Sequence, residues 1–302
     1  MKHLKVTGLN LQSRSVEGGE CGQMLIIVLW VIGLLSVAIG TVTVRSTHEV
    51  RLGRIPMDVL RRNAITQAGI QQAVRVIAQD TTESPQLDTL QEPWATGRNA
   101  DGTALFEHVS VGDGTFSVGQ TEGATFAPGL IDEERHLNIR VASVDQLRHL
   151  IEHVAVTGVD AQTVAAAIVD WRDEPIGPAC QGAMPPCHNG LFDSVEELRL
   201  VPGLSPELFA ALEPYVTIYG SGMVNVNTAS AIVLDAMGDP GEQLVEQRKA
   251  QPFQSYPGLA VTSTVFMVPV EARLTDDATP LRVRAVVDRH GAVLAWVPHP
   301  SP

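Results

Sequence analysis

Residues 24–44 read MLIIVLWVIGLLSVAIGTVTV (Met24–Val44), 21 positions without one ionisable side chain. Coiled as a helix at about 1.5 Å per residue, they match a hydrocarbon core of roughly 30 Å. The stretch therefore reads as a membrane span. It is too long for the apolar part of a cleaved secretory signal, and no small-residue site of the Ala-x-Ala kind closes it. Cys21 precedes the run rather than following it, which excludes a lipoprotein signal. Beyond the span, Leu60, Ala64, Ala68, Ile70, Ala73, Val74 and Ile77 recur at three- and four-residue spacing. One long helix is expected from the span to about Asp80, bent at Pro56.

The charge of the chain is uneven. Residues 1–80 carry nine Lys/Arg against five Asp/Glu, and residues 81–302 carry twelve against twenty-nine. A body near −17 argues against broad contact with nucleic-acid phosphates. Three cysteines make no dense disulfide framework. Cys180 and Cys187 lie close together in a Pro/Gly-rich loop, where a bridge suits an oxidising compartment; two free thiols are the alternative. Lys2, Lys5 and Arg14 precede the span and Arg45, Arg51, Arg54, Arg61 and Arg62 follow it. A bare count of positive charge thus opposes a cytoplasmic N-terminus.

The body alternates in character. Apolar residues alternate over residues 105–139 around Gly112-Asp113-Gly114, a hairpin signal, and again in 264–274, 281–288 and 292–297. These two blocks are read as one antiparallel sheet packed on the long helix. Between them, residues 141–258 have helical periodicity and a faint duplication. Residues 137–143 (LNIRVAS) resemble 224–230 (VNVNTAS), and Leu191-Phe192-Asp193-Ser194 with Pro202-Gly203-Leu204 resembles Pro252-Phe253-Gln254-Ser255 with Pro257-Gly258-Leu259. Asn and Ser/Thr in such places suit turns and helix N-caps.

A polar leader ending in glycine, followed by an apolar helix that continues as a stalk, resembles the type IV prepilin and pseudopilin class. Asp132-Glu133-Glu134 before Leu137-Asn138, the run Ile168-Val169-Asp170-Trp171-Arg172-Asp173, and residues 194–203 (SVEELRLVPG) resemble, in this order, the minor pseudopilin K family of type II secretion. The resemblance implies cleavage by prepilin peptidase between Gly22 and Gln23, with Gly19 as second choice, and Met24, Ile27 and Val44 in a membrane-stored stem. The glutamate usual at the fifth mature position is replaced by Ile27, as in that family. A buried carboxylate in lipid is costly without a partner, and the family explanation is a place at the filament tip, with nothing beneath it to pair with.

The resemblance also implies an architecture. The expected fold is α+β: a leader (1–22), a transmembrane and stalk helix (23–80), a first part of the pseudopilin domain (81–140), an inserted all-α, SAM-like helix-hairpin-helix domain (141–223) and a C-terminal part with β-strands (224–302). Partners implied are pseudopilins I and J and the other pseudopilins. The implied place is the bacterial inner membrane, single pass, with a cytoplasmic N-terminus and a periplasmic body. Calcium is known in the family's globular part, and Asp132, Glu133, Asp170, Asp173 and Glu174 supply hard oxygen ligands of the right kind. Here the acidic loop expected after Asp173 is replaced by residues 175–189 with their cysteine pair.

Other chemistries fit less well. A helix-hairpin-helix also binds DNA, holding phosphate on backbone amides. In this chain Ser205 stands where a second glycine would allow close approach, and Glu196, Glu197, Glu207 and Glu213 surround Arg199. Cys180, Cys187 and His188 lack the fourth ligand of a structural zinc site. No serine or cysteine sits in a nucleophile motif with a base, so a structural, non-enzymatic protein is expected.

Overall fold

The computed structural model describes residues 20–84, 86–122, 125–154, 156–173, 188, 190–275 and 279–297; within the first helix, side chains are described at 27–36 and from 57 onward. The leader up to residue 19, Glu174, Cys180 and Cys187 lie outside these residues, as do the side chains of Gln23, Met24 and Val44; Gly22 is described as helix backbone alone. The chain divides between Val59 and Leu60 into two compact units.

The first helix, α1 (Glu20–Glu83), contributes to both units. In the first unit Ile27, Val28, Leu29, Trp30, Val31, Ile32, Leu34 and Leu35 are all exposed. Ser36, just after them, bonds back to the helix: its Oγ donates to the Ile32 carbonyl at 2.8 Å. Among the described residues no helix is long and apolar enough to cross a membrane.

The second unit joins the end of α1 to a sheet and a helical region. After the short α2 (Pro93–Thr96), strands β1 (Val109–Val111) and β2 (Gly114–Glu122) form the hairpin read from Gly112-Asp113-Gly114, with Val111 opposite Gly114. Next come β3 (Thr125–Pro128), β4 (Ile131–Asp132) and β5 (Leu137–Asn138). The helical region holds α3 (Val144–His153), α4 (Ala161–Arg172) and α5 (Pro206–Leu212), closed by β6 (Val216–Thr217), and then α6 (Ala231–Ala236) and α7 (Gly241–Ala250). Strands β7 (Val265–Leu274), β8 (Leu281–Asp288) and β9 (Val293–Val297) complete the chain. The two sequence blocks do form one antiparallel sheet, ordered β1-β2-β7-β8-β9, with β3 on β2 and β4 continuing beside β7. This is an α+β fold.

Helix α1 lies on that sheet through Ile65, Ile70, Ala73, Val76 and Ile77, packed with Trp94, Phe116, Val118, Phe266, Val268 and Val270. Gly69 permits the approach, since a Cβ there would stand 2.9 Å from Val270 Cγ1 and 3.3 Å from the Phe116 ring. The phase of the stripe differs from the sequence reading, because Leu60 and Ala64 are exposed. Ile65, one position beyond Ala64, buries more apolar area against the strands and, with Ile70 and Ile77, sets the rotation of the helix.

The faint duplication is a structural one. Asn138 and Asn225 each accept, through Oδ1, the backbone N–H two residues on (Arg140 and Asn227, both 2.9 Å). Their carbonyls accept from Val141 and Ala142 in one copy and from Thr228 and Ala229 in the other. Ser143 and Ser230 then cap α3 and α6. Arg140 Nε donates to the Phe192 carbonyl at 2.7 Å where Asn227 Nδ2 donates to the Phe253 carbonyl at 3.0 Å. Arg172, ending α4, reaches the Ile139 carbonyl at 2.7 Å, and Arg248, near the end of α7, reaches the Val226 carbonyl at 2.8 Å. Each copy has its own core, one including Leu147, Ile168, Trp171, Phe192 and Phe209, the other Val226, Val233, Leu244 and Leu259. The copies close differently. The second returns at once, Val226 N–H donating to the Ala260 carbonyl, whereas the first inserts α5 before β6 pairs in parallel with β5.

Candidate functional site: a buried acidic junction

Asp132 ends β4 and caps a short 3-10 turn that begins with Glu133 and Glu134, and all three are buried. A carboxylate out of water needs donors, and these are supplied from three directions. Asp132 Oδ1 accepts from the Glu134 N–H at 2.8 Å, capping the turn. Its Oδ2 accepts from Thr228 Oγ1 at 2.5 Å, Ser263 Oγ at 2.6 Å and Asn225 Nδ2 at 3.4 Å. Glu133 accepts from the Thr217 hydroxyl on β6. Glu134 accepts from the Ser221 N–H and the Thr264 N–H, both at 2.7 Å, and from the Thr264 hydroxyl at 3.0 Å. One tripeptide thus fastens the end of the first helical copy, the start of the second and the strand that re-enters the sheet.

Burial raises Asp132 to about 6, against the pull of the Ser263 and Thr228 hydroxyls, and Glu133 to about 7, against that of Thr217. His136 is pushed the other way, down to about 3, by burial and then by Arg135, so it is neutral at pH 7.

Ser263 extends the junction. Its hydroxyl serves Asp132 while its N–H donates to Asp88 Oδ2 at 2.5 Å, and Asp88 also accepts from Arg289 Nη2. Arg289 stands in the turn between β8 and β9 and donates to the Ser263 carbonyl at 2.7 Å and to Thr81 Oγ1 at 3.1 Å. Asp80, on the last turns of α1, and Glu92 complete this side.

The segments that carry this junction match known proteins. Residues 129–221 and 224–260 each match a family model described as type II secretion system (T2SS), protein K. Proteins called type II secretion system protein K align along most of the chain: from Pseudomonas aeruginosa, 28% identical over 262 residues, covering 78% of this chain and 75% of the relative; from Klebsiella pneumoniae, 26% identical, covering 76% and 73%. A third, from Aeromonas hydrophila, is 24% identical and covers 87% and 90%. Over these segments the chain is similar to the type II secretion system protein K family. The fold is similar to that of a solved chain in the GspK-GspI-GspJ complex from enterotoxigenic Escherichia coli, at TM-score 0.64 and 19% identity, covering 82% of this chain and 99% of that one.

Within this fold the expected ligand residues fall in different places. Asp132 and Glu133 are enclosed by the donors just named, whereas Asp170 and Asp173 lie at the end of α4 in the first helical copy. Asp173 Oδ1 accepts from Arg172 Nε at 2.9 Å. Among the described residues the only acidic trio with metal-compatible spacing is a different one, Asp80, Asp88 and Glu92. Trp171 fills the core of the first copy and donates to Glu197 at 2.8 Å. The hairpin at Val201–Ser205 is a helix start and not an open amide cradle: Ser205 Oγ accepts from the Leu208 N–H at 3.2 Å and Glu207 follows in the first turn. Arg199 lies over the Phe209 ring at 3.8 Å.

Sequence reasoning found the Asp-Glu-Glu motif but not its donors. Asp80 had a signal: it continues the stripe Ile70, Ala73, Val76, Ile77 at the next inward position, where an apolar residue belongs.

Proposed function

We propose that this protein is a minor pseudopilin with a structural role in type II secretion, carried at the tip of a pseudopilus whose other tip members are pseudopilins I and J. The observation that carries this reading is the match of both duplicated segments to the protein K family, on a body whose stalk helix packs against an antiparallel sheet. The exposed apolar run 27–36 fits the same reading, since it needs lipid first and neighbouring helices later. The protein is inserted once in the bacterial inner membrane, with its N-terminus cytoplasmic and its body periplasmic. Prepilin peptidase removes the leader after Gly22, leaving Gln23 as the first mature residue. The acidic body and the closed hairpin give no support to DNA binding.

The test is secretion in a strain lacking its protein K. This chain, supplied with its own pseudopilins I and J, restores export of a type II substrate and co-purifies with both partners. Unrestored export together with no co-purification defeats the proposal.

A further inference from the structure

Asp80 closes the inward stripe of α1 with a charge. It is 6% exposed, and its Oδ2 is buried without a hydrogen-bond partner. Arg289 Nη1 stands 3.8 Å from that oxygen, beyond hydrogen-bonding reach. Asp88, fully buried, gives one oxygen to the Arg289 guanidinium and the other to the Ser263 N–H. Glu92 Oε2 accepts from the Thr89 N–H at 2.9 Å and from Trp94 Nε1 at 2.8 Å. Ligand oxygens of the three carboxylates lie within 4.8 Å of one another.

Three carboxylates here meet one guanidinium. When all are ionised the cluster is left with two uncompensated negative charges in a partly desolvated place, which a fold does not sustain without protons or a counter-ion. Burial accordingly pushes all three upward, Asp80 to about 7 with Glu92 and Asp88 adding to it. A divalent cation would neutralise the excess in one step and would meet an oxygen that has no donor.

We propose that Asp80, Asp88 and Glu92 hold a hard divalent cation of calcium's size. An ion with oxygen distances of about 2.3–2.6 Å bridges ligands up to roughly 5 Å apart, a span that includes this trio, and it accepts irregular oxygen sets more readily than magnesium does. The set shares no residue with Asp132, Glu133, Asp170, Asp173 and Glu174. It joins the end of α1 to the segment that follows and, through Arg289, to the turn between β8 and β9. Bound ion therefore holds the stalk helix to the sheet at the end where its apolar stripe stops.

Trp94, bonded to Glu92, provides a local reporter. Full-length protein in detergent micelles is titrated with terbium under tryptophan excitation, and its melting is followed with calcium or chelator. The expected result is saturable sensitised emission, displaced by calcium, with affinity about tenfold weaker in Asp80→Asn and in Glu92→Gln. In Trp94→Phe the emission falls while the calcium-induced rise in melting temperature persists. Circular dichroism melts establish that each variant folds. No saturable emission in the wild type, or emission undiminished in Asp80→Asn, Glu92→Gln and Trp94→Phe alike, overturns the proposal. So does melting that follows pH but not calcium, which would assign the neutralising charge to protons.

Discussion

Ser263 donates its hydroxyl to Asp132 Oδ2 across 2.6 Å while both residues are buried, so a residue entering β7 and a residue of β4 share one hydrogen bond beneath the sheet. Asp132 is the acceptor for four donors in all, from Glu134, Thr228, Ser263 and Asn225. Replacing it by alanine leaves those donors dry. Asp132→Ala is expected to lose about 3 kcal/mol of unfolding free energy, and Asp132→Asn about half as much, because an amide oxygen still accepts. Chemical denaturation of the body reads both values; equal losses would mean that the carboxyl's acceptor role is not what matters.

The same burial makes stability depend on pH with a definite sign. Asp132, Glu133 and Asp80 have folded-state values of about 6, about 7 and about 7, above the ordinary 3.8, 4.5 and 3.8. The native state therefore holds protons that the unfolded chain has released, and stability falls as pH rises through that interval. In chelator, melting temperature should decline from about pH 5 to about pH 8 and level off above. Glu133→Gln should flatten the upper half of the decline. A melting temperature that rises over this range contradicts the assignment.

The paired arginines allow an internal comparison. Arg172 serves the Ile139 carbonyl in one copy, and Arg248 serves the Val226 and Ala229 carbonyls in the other at 2.8 and 2.6 Å. Arg172→Met and Arg248→Met should each cost about 1–2 kcal/mol, the latter more because two backbone carbonyls are abandoned, against one carbonyl and the exposed Asp173 carboxylate. Since the two arginines share no partner, the double variant should lose the sum to within about 0.5 kcal/mol. A marked excess would show that the copies are energetically coupled.

Gly69 tests how closely α1 lies on the sheet. A valine there places branched methyl groups where a Cβ alone already meets Val270 at 2.9 Å. Gly69→Val should destabilise by about 2 kcal/mol or more despite removing a glycine from a helix. An unchanged melt would indicate that the helix slides away at no cost.

Processing gives a separate measurement. Gly22→Val should accumulate as unprocessed precursor on a gel in cells carrying prepilin peptidase, while Gly19→Val should mature normally. N-terminal sequencing of mature protein starting elsewhere than Gln23 removes the proposed cleavage site.

Much of the architecture was legible in the chain. The turn at Gly112-Asp113 announces its hairpin, because a positive-φ glycine leaves few alternatives; between β8 and β9, Gly291 has positive φ and Asp288 accepts the N–H groups of His290 and Ala292. The residues 137–143 and 224–230 kept their asparagine and serine because each side chain closes a specific backbone loop, so likeness in sequence followed likeness in hydrogen bonding. What stayed hidden was long-range. Nothing local to Asp88 pairs it with Arg289 or Ser263, some two hundred residues away, and nothing in Asp132-Glu133-Glu134 tells a hub of buried donors from a row of solvated acids. The phase of α1 was misread for a similar reason, since the sheet it must face is assembled from strands at opposite ends of the sequence.

The two clasps of the first helical copy have a practical corollary. Arg172 is tied to Ile139 and Phe192 to Arg140, so both ends of the segment that joins α4 to the next turn are anchored to the same short stretch of backbone. A segment held at both ends can change length at little expense, about 0.6 kcal/mol for each doubling. An epitope or a fluorescent label inserted between Asp173 and Phe192 is therefore expected to leave both clasps in place.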